Sequence, residues 1–91
     1  MTSLSDREIQ DRASLLPDWN LEGKKLTRTW TFENFIEAID FVNRLVEPAE
    51  QSGHHPDLSI SYNKVSVSLT THDAGGLTEK DFDLASVLSA L

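Results

Sequence analysis

Cysteine is absent from the sequence, which excludes a disulfide framework and any thiolate metal site. Cations are scarce: eight Lys and Arg face fifteen Asp and Glu, for a net charge of −7. None of the eight are clustered, and counterion release from a phosphate backbone needs clustered cations, so nucleic acid is excluded as a partner. No apolar run approaches the ~18 residues of a membrane span. The opening residues Met1-Thr2-Ser3-Leu4-Ser5-Asp6 lack the basic and apolar regions of a secretory signal, so a cytoplasmic location is expected. What is present suffices for folding. Ninety-one residues, 38% of them hydrophobic, make one packed domain, 1–91. Such a chain buries only about 60–65% of the surface it exposes when unfolded, and self-association is a common remedy for so small a core.

Two segments carry the same helix-entry grammar. Ser5 and Glu8 form a capping box, with Leu4 and Ile9 at the two positions of a hydrophobic staple. Thr78 and Asp81 repeat it, with Leu77 stapled to Phe82. Helices are predicted from about Asp6 to Leu15, ending before Pro17, and from about Glu79 to the C-terminus, the latter burying Phe82, Ala85 and Leu88. Between them Phe35, Ile39, Val42, Val46 and Ala49 recur at helical spacing. Ala38, Phe41 and Leu45 form a second stripe beside the first, so the apolar face is wider than one contact needs. One stripe can cover a sheet while the other meets a second subunit. Pro48 cannot donate to the carbonyl of Arg44, which predicts a kink or an end near Glu47 and an exit by Gly53.

The strands read as two hairpins. Trp19 and Leu21 alternate on odd numbers and Leu26, Trp30 and Phe32 on even ones, bracketing a turn at Glu22-Gly23-Lys24-Lys25. In the second hairpin a two-residue turn at Asn63-Lys64 pairs Tyr62 with Val65, Ile60 with Val67 and Leu58 with Leu69, all on one face. The other face carries Ser59, Ser61, Ser66, Ser68 and Thr70. The predicted fold class is α+β: an α-β-β-α-β-β-α two-layer sandwich, with a four-stranded antiparallel sheet covered by helices on one face.

All three histidines, His54, His55 and His72, fall near the second hairpin. If its pairing continued past Pro56, His55 and His72 would stand opposite each other with Cβ atoms about 4.5–5.5 Å apart, on the polar face shared with Asp57 and Thr70. Imidazoles gathered from two chain segments can share acid and base work near neutral pH. Plainer readings stand beside this one. Adjacent histidines in a loop commonly do nothing, and Asp81 fits a capping role. Glu50 and Asp57 fit solvated surface, and Trp19 and Trp30 fit sheet-face or core aromatics. A three-histidine zinc site is a sharper alternative, but adjacent residues on an extended strand point apart and suit one metal poorly. Ala74-Gly75-Gly76 has no phosphate-cradle spacing, and no serine sits in a nucleophile elbow. The residues by themselves lead to a histidine-lined polar site on a small α+β domain.

Glu50-Gln51-Ser52-Gly53-His54-His55-Pro56-Asp57, Tyr62-Asn63-Lys64-Val65 and Thr70-Thr71-His72-Asp73-Ala74-Gly75-Gly76-Leu77-Thr78, closing at Asp81, resemble the pterin-4a-carbinolamine dehydratase family in order and spacing. Trp19 and the segment Phe32 to Phe41 extend the likeness over about residues 15–91. The resemblance implies dehydration of 4a-hydroxytetrahydropterin to quinonoid dihydropterin, the step that recycles a pterin after an aromatic amino-acid hydroxylase has used it, with no cofactor and no metal. It implies His54 and His72 as acid and base and His55 as a substrate-holding residue. Glu50 and Asp81 become supporting carboxylates, and Trp19 and Pro56 lie at the substrate. Gly53 stands where many members carry an acidic residue, and Lys80 where others have arginine. The small core and the wide apolar face of the middle helix lead to an expected homodimer or homotetramer. The alternative to a dehydratase is a non-catalytic dimerisation or assembly cofactor that binds another protein through the middle helix.

Overall fold

The computed structural model describes residues 3–91, and Met1 and Thr2 lie outside the described residues. The chain runs α1 (Asp6–Ala13), β1 (Asn20–Glu22), β2 (Lys25–Thr31), α2 (Phe35–Ser52), β3 (Asp57–Ser61), β4 (Lys64–Leu69), a 3₁₀ turn (His72–Ala74) and α3 (Glu79–Ser89). This is the predicted element order and the predicted α+β class. The four strands form one antiparallel sheet in the order β1-β2-β4-β3. Leu26, Val65, Val67 and Leu69 are buried on its dry face with Ala38, Phe41 and Leu45 of α2 and Phe82, Leu84, Ala85 and Leu88 of α3. The other face carries Thr27, Thr29, Ser59, Ser66 and Ser68, which line an open shallow groove with Asp57. None of the described helices is long and apolar enough to cross a membrane.

The aromatic residues tie β2 to α2. Trp30 and Phe32 pack on Phe41 with ring centroids 4.7 and 5.3 Å apart. The Arg28 guanidinium lies 4.4 Å from the Trp30 ring centroid, which shields that ring from the open end of the core. The broad apolar face of α2 divides unequally. Ala38, Phe41, Leu45 and Ala49 are buried, whereas Phe35, Ile36 and Val46 are at least half exposed. The stripe that meets the sheet is therefore the one containing Phe41, and the longer run through Phe35 and Val46 flanks it.

Three local expectations are corrected. The first helix ends at Ala13 rather than Leu15, because the backbone amides of Leu15 and Leu16 bond back only three residues to Arg12 and Ala13. Of the kink or end expected near Glu47, the end does not occur: the middle helix continues through Pro48 to Ser52 and leaves by Gly53. Proline removes one hydrogen bond, and burial of Leu45 and Ala49 on either side of Pro48 outweighs that loss. Gly53 then closes the helix in the left-handed region at φ 66°, its N–H bonded to Ala49 and Glu50 carbonyls, a conformation that glycine adopts without strain.

The second hairpin turns one residue earlier than expected, which shifts its pairing by two. Ser61 pairs with Lys64, Ile60 with Val65 and Leu58 with Val67, so the turn is Tyr62-Asn63. Asn63 decides the matter. Its carbonyl accepts from the Phe32 amide and its Nδ2 donates to the Phe32 carbonyl, both at 2.8 Å. That double tie pins Asn63 to the end of β2 and leaves Tyr62 at φ 53°. A slip of two residues preserves the faces, since side chains alternate with period two. It does remove the expected Tyr62–Val65 pair, and Tyr62 is exposed.

At the N-terminus of α1 the predicted capping box is present. The Ser5 amide donates to Glu8 Oε1 at 3.0 Å and the Glu8 amide donates to Ser5 Oγ at 3.2 Å. The Ser5 backbone N–H, followed by the Ser5 side chain, holds the Glu8 carboxyl below its ordinary value of 4.5. A lowered value means that this contribution to the helix is present above the unfolded-state pKa and is lost as pH falls through the folded one. Carbon-13 α shifts of the first turn should therefore lose helical character as pH drops below 4.5, and Glu8→Gln should flatten that dependence. First-turn shifts that do not respond to acid would contradict it.

Candidate active site

The site forms where the end of α2, the end of β4 and the start of α3 meet. Gly53 turns the chain out of α2, and the His54 amide bonds to the Ala49 carbonyl and to Ser52 Oγ. This exit places His54 and His55 side by side before β3 begins. Beyond β4 an isolated bridge between Thr71 and Gly76 closes a small loop, whose 3₁₀ turn begins at His72. Gly53, His54, His55, Thr70, Thr71, His72, Asp73 and Lys80 line one cavity of about 350 Å³.

The three histidines thus share a cavity, but by a different route from the one expected. The β3–β4 pairing ends at Asp57 and Ser68, so His55 and His72 are not cross-strand partners. Asp57 belongs to the open sheet face rather than to this cavity. What gathers the imidazoles is the exit from α2 on one side and the Thr71–Gly76 loop on the other.

Asp81 stands behind the cavity with no exposed surface. Its Oδ2 accepts from the Thr78 amide at 2.9 Å and from Thr71 Oγ1 at 2.8 Å. Its Oδ1 lies 2.5 Å from His54 Nε2. One oxygen of Asp81 thus fills the capping role, and the other meets the His54 ring. Helix α3 begins here, and its N-terminal partial positive charge adds to the reasons why a buried carboxylate is tolerated. With Nε2 committed to Asp81, the ring nitrogen of His54 left for other partners is Nδ1. His55 Nε2 is paired with Glu50 Oε2 in an exposed setting, and such pairs contribute little to stability. Among the described residues His72 has no hydrogen-bond partner on its ring, so both of its nitrogens are available.

Trp19 and Pro56, two residues expected at the substrate, are not among those lining the cavity. Trp19 is 6% exposed and lies in the core. Its ring packs edge-on to Trp30 at 5.6 Å and its Nε1–H donates to Ser89 Oγ at 2.8 Å. The reason is the Trp19 amide bond to the Leu16 carbonyl, which folds the α1–β1 connection over the dry end of the sheet. Pro56 does not line the cavity either, and Glu50 is connected to it only through His55. Thr71 and Thr78 were not foreseen as site residues, although they hold Asp81 and touch each other at 2.9 Å between hydroxyls. Among the described residues no group of three or more His, Asp or Glu is placed to hold a metal ion.

Residues 2–91 match the family model described as pterin 4 alpha carbinolamine dehydratase. A curated Nostoc sp. protein named "Putative pterin-4-alpha-carbinolamine dehydratase" is 67% identical over 88 residues, covering 97% of this chain and 95% of the relative. The crystal structure of a transcriptional coactivator/pterin dehydratase from Brucella melitensis superposes with TM-score 0.91 at 32% identity, over 98% of this chain and 97% of that one. A pterin dehydratase-like protein identified as a RuBisCO assembly factor in the alpha-carboxysome shares the fold at TM-score 0.68 and 22% identity, over 80% and 87% of the two chains.

Replacing the buried carboxylate tests how much hangs on it. Asp81→Ala orphans the Thr78 amide and His54 Nε2 together and removes one of two partners of the Thr71 hydroxyl, and should lower the unfolding free energy by about 3 kcal/mol or more. Asp81→Asn keeps an acceptor for the helix start and should lose less. Urea unfolding at a fixed pH measures both, and a loss below about 1 kcal/mol for the alanine variant would contradict the assignment.

Proposed function

Because the chain belongs to the pterin 4 alpha carbinolamine dehydratase family, we propose that it dehydrates a 4a-hydroxytetrahydropterin to the quinonoid dihydropterin by histidine acid/base catalysis. The observation that carries this reading is the convergence of His54, His55 and His72 on one cavity, with one imidazole held by a buried carboxylate. Loss of the hydroxyl requires a proton delivered to oxygen, so that water departs. A second proton leaves a ring nitrogen, so that the product is neutral. The charge and the atoms balance with one acid and one base.

His54 and His72 divide these two tasks. A carboxylate at Nε2 favours the tautomer that carries its hydrogen there, leaving the Nδ1 lone pair of His54 to accept a proton. His72, with both ring nitrogens unengaged among the described residues, is suited to deliver one to the departing hydroxyl. His55, steadied by Glu50, holds the substrate. Each positioned imidazole is worth about 10²–10⁴-fold. The family resemblance extends the proposal to pterin recycling after an aromatic amino-acid hydroxylase, in the cytoplasm, by a homodimer or homotetramer.

The exposed Phe35, Ile36 and Val46 on α2 support a second reading, in which that helix binds another protein or a further copy of this chain. The two readings separate in one set of measurements. With enzymatically generated carbinolamine, His72→Ala should lower the dehydration rate constant by about 10²–10⁴-fold, while light scattering shows the assembly unchanged. Dehydration that is as fast in His72→Ala as in the native chain would overturn the mechanism. A wild-type protein with no dehydratase activity would favour the binding role.

A further inference from the structure

The four lysines of this acidic chain are Lys24, Lys25, Lys64 and Lys80, and three of them line the histidine cavity or the one beside it. Lys80 lines the histidine cavity itself. Lys24 and Lys25 line a second cavity of about 270 Å³, together with Glu22, Thr70, His72, Gly75 and Gly76. Thr70 and His72 line both cavities, so the second space adjoins the histidine cavity at His72. Its floor is built rather than accidental. Thr70 Oγ1 donates to the Lys24 carbonyl at 2.7 Å, fixing the β1–β2 turn against the end of β4. The Lys24 side chain crosses Gly76, its Cδ 4.0 Å from where a Cβ on that glycine would lie.

The charge in this annexe has no obvious use in folding. Among the described residues neither Lys24 nor Lys25 has a carboxylate oxygen within ion-pair distance, whereas Arg12 and Arg28 do. The nearby Glu22 accepts the Thr27 hydroxyl hydrogen. A chain of net charge −7 has carboxylates to spare for pairing these lysines. A pterin ring has no anionic group that would need them.

We propose that Lys24 and Lys25 form a subsite for an anionic substituent, a carboxylate or a phosphate, on the side chain of the pterin. This rests on the reading of the histidine cavity as a pterin site. The chain is then selective for pterins that carry negative charge beyond the ring, and the selectivity comes from the β1–β2 turn.

Calorimetric titration with three pterins tests this: neopterin, which is neutral, its monophosphate, and pteroylglutamate, which carries carboxylates. The native protein should bind one or both anionic ligands about tenfold more tightly than neopterin at low salt, with the ratio shrinking as salt is added. In the doubly substituted Lys24→Gln, Lys25→Gln protein, shown to be folded by circular dichroism, the ratio should fall to about one. A gain confined to the monophosphate assigns phosphate, and one confined to pteroylglutamate assigns carboxylate. Binding of all three with equal affinity, or a preference that survives the double substitution, overturns the subsite while leaving the pterin reading intact. Failure of every pterin to bind the native protein overturns both.

Discussion

A single buried carboxylate holds the working end of this protein together. Asp81 has two oxygens and no solvent, so each oxygen must be satisfied from within. One caps the start of α3 and takes the Thr71 hydroxyl. The other faces His54. Three segments far apart along the chain are thereby joined at one residue: the exit from α2, the end of β4 and the beginning of α3. A buried carboxylate with an oxygen unmatched would carry a desolvation penalty of several kcal/mol, and that penalty is what makes the orientation of His54 definite.

The remainder of the fold delivers those segments to the same place. The dry face of the sheet seats α2 and α3 side by side through Phe41, Leu45, Phe82 and Leu88. With both helices docked there, the last turn of α2 comes beside the first turn of α3. Continuation of α2 through Pro48 matters here, since an end at Glu47 would release the chain a turn too early. Gly53 then redirects it within one residue. A side chain at that position would have to adopt φ 66°, a region that glycine enters freely and that only asparagine and aspartate otherwise visit with any regularity.

Much of this was legible in the residues, and the exceptions have physical causes. Capping boxes at Ser5 and Thr78 and the helical period of α2 are local signals, and they placed the helices to within two residues at most ends. The alternation in both hairpins assigned the correct faces because parity survives a shift of two. Register did not survive it. The turn position was settled by Asn63 bonding to Phe32, thirty-one residues away, and no alternation pattern records such a tie. The meeting of the histidines was reached through a cross-strand pair that does not form. It comes instead from a helix exit and a 3₁₀ loop. Thr71 was silent for a similar reason: a threonine at a strand end is common, and its bond to Asp81 spans ten residues. Trp19 fitted both a core aromatic and a neighbour of the substrate, and its contacts with Trp30 and Ser89 place it in the core.

If Asp81 fixes His54, the imidazole must carry its hydrogen on Nε2 and present Nδ1 to the cavity, ready to accept. Long-range proton–nitrogen correlation spectra of the histidine rings measure this directly. The account predicts a protonated, bonded Nε2 for His54 in the native protein, and loss of that single tautomer in Asp81→Asn. A native His54 that populates both tautomers freely, or carries its hydrogen on Nδ1 alone, would contradict it.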